Sequence, residues 1–222
     1  MSLTPFDTID VRAGLEEEND RFSLTVRAYC REKKILLINL MASPGAGKTT
    51  VLCRLIDGLK DRRIGVLEAD VDADVDAVTV TEHGAEAVQL HTGGSCHMDA
   101  KMTLAGLKAF GDDPPEIVIL ENVGNLVCPA EFDVGASLKL MILSVPEGDD
   151  KPLKYPLMFT VSECILVNKI DTAPIFDFDM QRFEKNLRLI NQTAPIFPVS
   201  GKTGAGFDDF LPWFRRFIDE NH

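Results

Sequence analysis

Two short stretches of this chain hold residue types that bind metals or phosphates. The first is LHTGGSCHMD, residues 90–99, where Cys96 and His97 are adjacent at the end of a glycine-rich turn. Thiolate and imidazole suit soft or borderline ions, but a tetrahedral ion takes four such donors, so two neighbours cannot close a site. A third donor follows in GNLVCPAEFD, residues 124–133, which sets Cys128 just beyond an apolar strand pattern. If both segments reach the same edge of a sheet, Cys96, His97 and Cys128 converge, and a two-fold axis beside them would double the count. Tetrahedral donors suit Zn²⁺ and a planar set of N and S donors suits Ni²⁺; spacing does not separate the two. The pair also precedes a helical pattern beginning at Met98, whose dipole would favour thiolate. For an isolated Cys-His, a buried thiol beside a hydrogen-bonded histidine is the plainer reading. Cys128 shifts the balance towards metal.

The second stretch is ASPGAGKTT, residues 42–50. It follows an apolar run and opens a helical pattern, the context that a phosphate-binding loop requires. Backbone N–H groups around Gly45, Ala46 and Gly47 can wrap a β-phosphate, with the helix dipole adding to the attraction. Lys48 would reach the β- and γ-phosphates, and the Thr49 hydroxyl, with Thr50 beside it, would face Mg²⁺ and phosphate. Two later motifs, NKID at 168–171 and SGKTG at 200–204, resemble the guanine-recognition elements of P-loop GTPases. Asp171 can accept from guanine N1–H and N2–H₂, an edge adenine lacks, and unpaired polar groups would penalise the wrong base. Asn168 and Lys169 would tie that loop and cover the base, and Ser200, Gly201 and Lys202 would finish the pocket. GTP is therefore the expected nucleotide.

Acidic residues close two strands. Glu121, opening ENVGN, fits the role of holding Mg²⁺, and Asp70, ending LEAD, fits a Mg²⁺ contact or a group orienting the attacking water. Lys48, Asp70 and Glu121 are thus the candidate catalytic groups, and Gly124 can approach a γ-phosphate. No glutamine or arginine finger is evident, so slow intrinsic hydrolysis is expected. The alternation DVDADVDA at 70–77 is not a calcium loop: its sixth and twelfth positions are Val75 and Thr81, where glycine and glutamate are needed. It reads as a solvated acidic segment.

These side chains need a scaffold that gathers loops at one edge. Apolar runs at 35–41, 64–69, 87–90, 116–121, 138–145, 164–169 and 195–200 alternate with helical patterns near 48–60, 98–110, 178–193 and 206–219. Near-continuous apolar strands separated by helices predict an α/β P-loop NTPase fold of three layers, a mainly parallel central sheet with helices on both faces. Residues 12–33 carry Leu15, Phe22, Val26 and Tyr29 at helical spacing. This gives an N-terminal helical arm over 1–34 and a GTPase domain carrying the metal site over 35–222. PEGDDKPLKYP, residues 146–156, reads as a surface loop. His91 is near enough in sequence to serve as a supporting group for the metal.

The 222 residues are 45% hydrophobic and 26% charged, ordinary for a globular chain with a substantial core. A net charge of −12 argues against a nucleic-acid or membrane-surface partner. No apolar run reaches the length of a membrane span, and MSLTPFDTID has no basic flank or long apolar stretch, so no secretory signal is expected. Five dispersed cysteines are not a disulfide framework, and Cys30, Cys53 and Cys164 have core neighbours. A reduced, cytoplasmic location is expected.

In order along the chain, SPGAGKTT, EAD, TGGSCHMDA, ENVGNLVCPAEFD, GDDKPLKYP, NKID and SGKTG resemble the hydrogenase nickel-incorporation GTPases, the HypB family, over essentially residues 35–213. That resemblance implies a dimerising GTPase of the signal-recognition and MinD-like (SIMIBI) class that delivers Ni²⁺ during [NiFe]-hydrogenase maturation. A small zinc-containing nickel chaperone and the hydrogenase large-subunit precursor are its implied partners. It also implies that Cys96, His97 and Cys128 are the metal ligands, at or near a homodimer interface. Lys151 or Lys154 is expected to reach the neighbouring nucleotide across that dimer. Ala42 and Ala69 depart from the usual glycines, and the cysteine-rich nickel site and histidine-rich tract of many bacterial members are missing. Two alternatives stand. One is the urease nickel-insertion GTPase, whose motif typically spaces Cys and His by a proline. The other is a metal-independent signalling or targeting switch.

Overall fold

The computed structural model describes residues 11–70 and 75–222, with side chains described over 14–69 and 77–222. Each apolar run forms a strand: β1 (Leu36–Ala42), β2 (Ile64–Asp70), β3 (Glu86–His91), β4 (Ile117–Glu121), β5 (Leu138–Ser144), β6 (Cys164–Asn168) and β7 (Ile196–Pro198). They pair in parallel in the order β3-β2-β4-β1-β5-β6-β7. Side chains alternate across β1. Leu36, Ile38 and Leu40 pack into the cluster covered by α2 (Lys48–Gly58) and α9 (Phe207–Asn221). On the opposite face Leu37 packs under α1 (Val11–Lys33) and α4 (Ala100–Ala109), and Met41 under α7 (Pro156–Val161) and α8 (Met180–Arg188). Covered on both sides, the central strands carry no polar face, which is why their sequences are nearly continuous apolar runs. Each fully buried Leu or Ile there contributes about 1.5–3 kcal/mol.

β1 is the switch point of the sheet: β4 flanks it on one side and β5 on the other. Ligands of such sheets bind outside the carboxyl ends of the strands at this place. The loops after β1 and β4 therefore emerge side by side, as the candidate chemistry requires.

Local capping adjusts several expected boundaries. The helix expected from 98 opens at Ala100, because the Asp99 side chain accepts from Met102 N at 2.7 Å. The helix expected from 178 opens at Met180 beneath Asp179, which accepts from the N–H groups of Gln181 and Arg182. Within the stretch read as a solvated acidic segment, Val75 begins helix α3 (Val75–Glu82).

The expected surface loop at 146–156 is corrected by the structure. It is a 3₁₀ turn over Val145–Glu147, then α6 (Lys151–Lys154) and the start of α7. Its three prolines, Pro146, Pro152 and Pro156, each sit in the first turn of a helical element, where the missing N–H has no helical partner to lose. Asp149 is buried and accepts from Arg182 Nε at 2.7 Å, from an Arg182 terminal nitrogen at 2.6 Å and from Asp179 N at 2.9 Å. The Arg182 guanidinium thereby holds the Asp149 carboxyl below its ordinary value of 3.8. A depressed folded-state pKa adds stability that is present above the unfolded value and lost as pH falls through the folded one. Asp149→Asn should lower the unfolding free energy by about 1–3 kcal/mol at pH 7. The gap between variant and wild type should close as the pH is taken below the carboxylate range in denaturant titrations. Equal stability at pH 7 would contradict this assignment.

Candidate nucleotide and metal sites

The loop between β1 and α2 has the shape of a phosphate cradle. Gly45 and Gly47 have φ of +72° and +92°, a left-handed geometry in which a side chain is strained. Gly47 is also crowded: a Cβ there would come within 2.6 Å of Asn168 Nδ2. Lys48 opens α2, and the Thr49 hydroxyl donates to Glu121 Oε1 at 3.3 Å. Glu121 ends β4, beside Glu68 of β2 in register, and both carboxylates are buried. Lys48, Glu68, Glu121 and Gly124 line one cavity of about 190 Å³. Hard oxygen donors beside a hydroxyl and a lysine fit Mg²⁺ with a phosphate chain. Asp70 ends the same strand as Glu68, but its side chain, like residues 71–74, lies outside the described residues. Glu68 was missed in sequence because a glutamate inside an apolar strand carries no motif of its own; its signal is its placement two residues before Asp70.

The guanine-type elements form one bonded unit with the cradle. Asn168 is buried; its Nδ2 donates to Ala46 O and its Oδ1 accepts from Gly201 N, both at 2.9 Å. Lys169, at φ +63°, donates from Nζ to Gly45 O at 2.6 Å. Ser200 donates to Asp171 Oδ1 at 2.6 Å, orienting an exposed carboxylate, and its hydroxyl accepts from Thr203 N at 3.1 Å. Thr50, Gly201 and Lys202 border a cavity of about 570 Å³ between this loop and α2. Arg54 of α2 was also missed in sequence. It donates to the carbonyls of Gly201 and Lys202 at 2.9 and 3.0 Å, holding the loop from behind.

The three expected metal donors do converge. One ligand atom each from Cys96, His97 and Cys128 lies within 4.8 Å of the others. Gly93 and Gly94, both at positive φ, turn the chain after β3. Asn125 Nδ2 then holds Cys96 O at 3.2 Å, and the His97 ring stacks on Phe132 with centroids 4.1 Å apart. Burial lowers the His97 pKa against the opposing pull of Asp99 and Glu131, favouring the neutral imidazole that binds metal. One expectation is corrected. Cys96 lies in the turn before Asp99, not at the start of α4; Cys128 is the thiol that opens a helix, α5 (Cys128–Glu131). The Cys128 thiol is raised: its hydrogen bond with the Cys96 sulfur 3.0 Å away favours the protonated form, and burial adds to it. His91 ends β3 exposed, outside this donor group. Cys30, Cys53 and Cys164 are buried, as expected for core thiols.

The loop after β4 touches both sites. Gly124 packs on the cradle, where a Cβ would be 3.0 Å from Pro44 Cα, and Asn125 N donates to Ala42 O at 2.9 Å. The buried Asn122 accepts from Met98 N at 3.0 Å, next to His97.

Comparison with known proteins gives a consistent neighbourhood. The family model "CobW/HypB/UreG, nucleotide-binding domain" matches residues 36–198. The hydrogenase maturation factor HypB of Azotobacter vinelandii is 42% identical over 200 residues, which is 90% of this chain and 66% of that protein. The crystal structure of HypB from Helicobacter pylori in complex with nickel superposes with a TM-score of 0.87 at 35% identity, covering 92% of this chain and 96% of that one. HypB from Archaeoglobus fulgidus gives 0.85 at 34%, covering 91% and 99%.

The cradle geometry makes a direct prediction. Gly47→Ala places a methyl against the Asn168 amide at a left-handed position, so guanine-nucleotide affinity should fall at least about tenfold. Fluorescent-GDP titration on a variant checked for intact folding by circular dichroism measures this; unchanged affinity would contradict the cradle.

Proposed function

The chain belongs to the CobW/HypB/UreG nucleotide-binding family, and on that footing we propose that it is a GTP-hydrolysing metallochaperone that delivers nickel during [NiFe]-hydrogenase maturation. The observation that carries this reading is the Cys96, His97 and Cys128 cluster, tied through Asn122 and Asn125 to a loop resting on the phosphate cradle.

In this reading the backbone around Gly45–Gly47 wraps the β-phosphate, and Lys48 neutralises charge on the β- and γ-phosphates. Asp171, pre-oriented by Ser200, accepts from guanine N1–H and N2–H₂. Thr49 and Glu121, with Glu68 beside them, would hold Mg²⁺, which when bound neutralises the charge developing on the phosphate chain, and Asp70 would contact that ion or orient the attacking water. Attack of water on the γ-phosphorus breaks its bond to the bridging oxygen, releasing phosphate and leaving the electron pair on GDP, where Lys48 compensates it. Among the described residues, none lining the phosphate cavity is an arginine or a glutamine, which supports slow turnover.

Ni²⁺ is the cargo of Cys96, His97 and Cys128, with Zn²⁺ able to use the same donors. Three donors leave a four-coordinate ion one short, and a second copy across a two-fold axis would supply more. In that homodimer Lys151 or Lys154 reaches the neighbouring nucleotide. A small zinc-containing nickel chaperone loads the site, and the hydrogenase large-subunit precursor receives the metal, in the cytoplasm.

Equilibrium dialysis of the purified chain against Ni²⁺, beside a GTP turnover assay, tests this. Cys96→Ala and Cys128→Ala should each lose stoichiometric Ni²⁺ while GTP turnover stays within about twofold, since neither thiol touches the cradle. A wild-type chain that binds no Ni²⁺, or cysteine variants that bind it as well, would favour a metal-independent switch. Base choice has its own test. Asp171→Asn puts a donor against guanine N–H groups, so GDP affinity should fall about 10²-fold or more while xanthosine diphosphate, with a carbonyl at that edge, gains. Retained preference for GDP would contradict the assignment of Asp171.

A further inference from the structure

The Asn19 side chain joins helix α1 to both segments of the metal cluster. Asn19 is only 7% exposed, and its amide bonds two segments far apart in sequence. Oδ1 accepts from Ala100 N at 2.9 Å, and Nδ2 donates to Asp133 O at 2.9 Å. Ala100 follows the Cys96-His97 turn at the start of α4; Asp133 follows α5, which Cys128 opens. Between Cys128 and Asp133 stands Phe132, the ring on which His97 stacks. The segment after α5 is held to α1 at further points. Arg27 pairs with the Asp133 carboxylate at 2.5 Å, and Gly135, at φ +81°, lies so close that a Cβ would meet Ser23 O at 2.7 Å. Met98 and Ala100 are packed in the same apolar cluster as Val26 and Cys30 of α1.

We propose that Asn19 is a positioning residue of the metal site, a clasp that fixes the separation between the Cys96-His97 turn and Cys128. The inference rests on the metal reading of that cluster. Both ligand-bearing segments are turns or a single short helix, whose own backbone bonds do not join them. Asn122 and Asn125 bridge them before Cys128, and the Asn19 amide, with one acceptor and one donor in fixed geometry, bridges them again beyond it. Groups that orient ligands without touching the metal typically change affinity by about 10–100-fold when lost.

The test uses the full chain and NiCl₂, reading affinity by competition with a chromophoric chelator and geometry by the thiolate-to-nickel absorption band. Asn19→Leu, similar in volume but unable to bond either segment, should weaken Ni²⁺ binding about tenfold or more and alter the band. Asn19→Asp keeps the acceptor for Ala100 N but loses the donor to Asp133 O, and should fall between the two. Cys30→Ala thins the packing of the same helix about three turns further on, and should bind Ni²⁺ within about twofold of wild type. Without Ni²⁺, GDP affinity should hold within about twofold throughout, since Asn19 bonds neither the cradle nor the base loops. Wild-type affinity and an unaltered band in both Asn19 variants would overturn the inference, as would an equal loss in Cys30→Ala. A wild-type chain that binds no Ni²⁺ would instead overturn the metal reading, and this inference with it.

Discussion

The amide of Asn122 is buried where three pieces of the chain meet. Its oxygen accepts from Met98 N at 3.0 Å and from Val123 N at 2.9 Å, and its nitrogen donates to Asn39 Oδ1 at 3.1 Å inside β1. Its own backbone N–H bonds Leu40 O at 3.0 Å. The strand that supplies the phosphate cradle, the strand that ends in Glu121 and the turn that carries His97 are thus joined at one buried point. An unsatisfied polar group in such a place costs about 1–3 kcal/mol, so the three pieces hold one arrangement. Asn125 repeats the pattern closer to the surface, with its backbone on Ala42 and its side chain on Cys96 O. A shift of the loop at Gly124, where it lies on Pro44, would be transmitted to both cysteine segments.

The parallel sheet makes this possible. β1 and β4 are neighbours, so the cradle and the Asn122–Asn125 loop leave the same edge. The left-handed residues follow from the same crowding. Gly45 and Gly47 curl the cradle, and Lys169 takes φ +63° so that its ammonium can reach back to Gly45 O. Asn168 and Arg54 then hold the last loop against the cradle, so base pocket and phosphate pocket form one rigid body.

Much of this was legible in the residues, for physical reasons. Central strands buried on both faces must be apolar throughout, and these, with the half-buried edge strands β3 and β7, were readable as apolar runs. Phosphate loops need backbone N–H groups and a lysine at fixed spacing, and the convergence of Cys96, His97 and Cys128 followed from strand ends at one edge. What stayed hidden depends on tertiary placement. Pro146, Pro152 and Pro156 read as loop punctuation but begin helical elements, because proline costs nothing in a first helical turn. Glu68 lies mid-strand and acquires meaning only beside Glu121. The Cys128 thiol is raised because a second sulfur stands 3.0 Å away, which no spacing reveals. Asn19 and Arg54 act through backbone carbonyls and N–H groups, and such partners leave no pattern in a sequence.

The loop from Glu121 to Cys128 rests on the cradle and bonds the Cys96 turn, and we propose that nucleotide and metal report to each other through it. The most direct test of that coupling is the Ni²⁺ dissociation constant of the wild-type chain with GDP, and again with a non-hydrolysable GTP analogue, each with Mg²⁺. A coupling free energy between two sites requires the constants to differ, by about fivefold or more for a coupling of ordinary size. Such a difference is expected, and with it a change by the same factor in the ratio of GTP-analogue affinity to GDP affinity when Ni²⁺ is bound. Equal dissociation constants in the two states would contradict it.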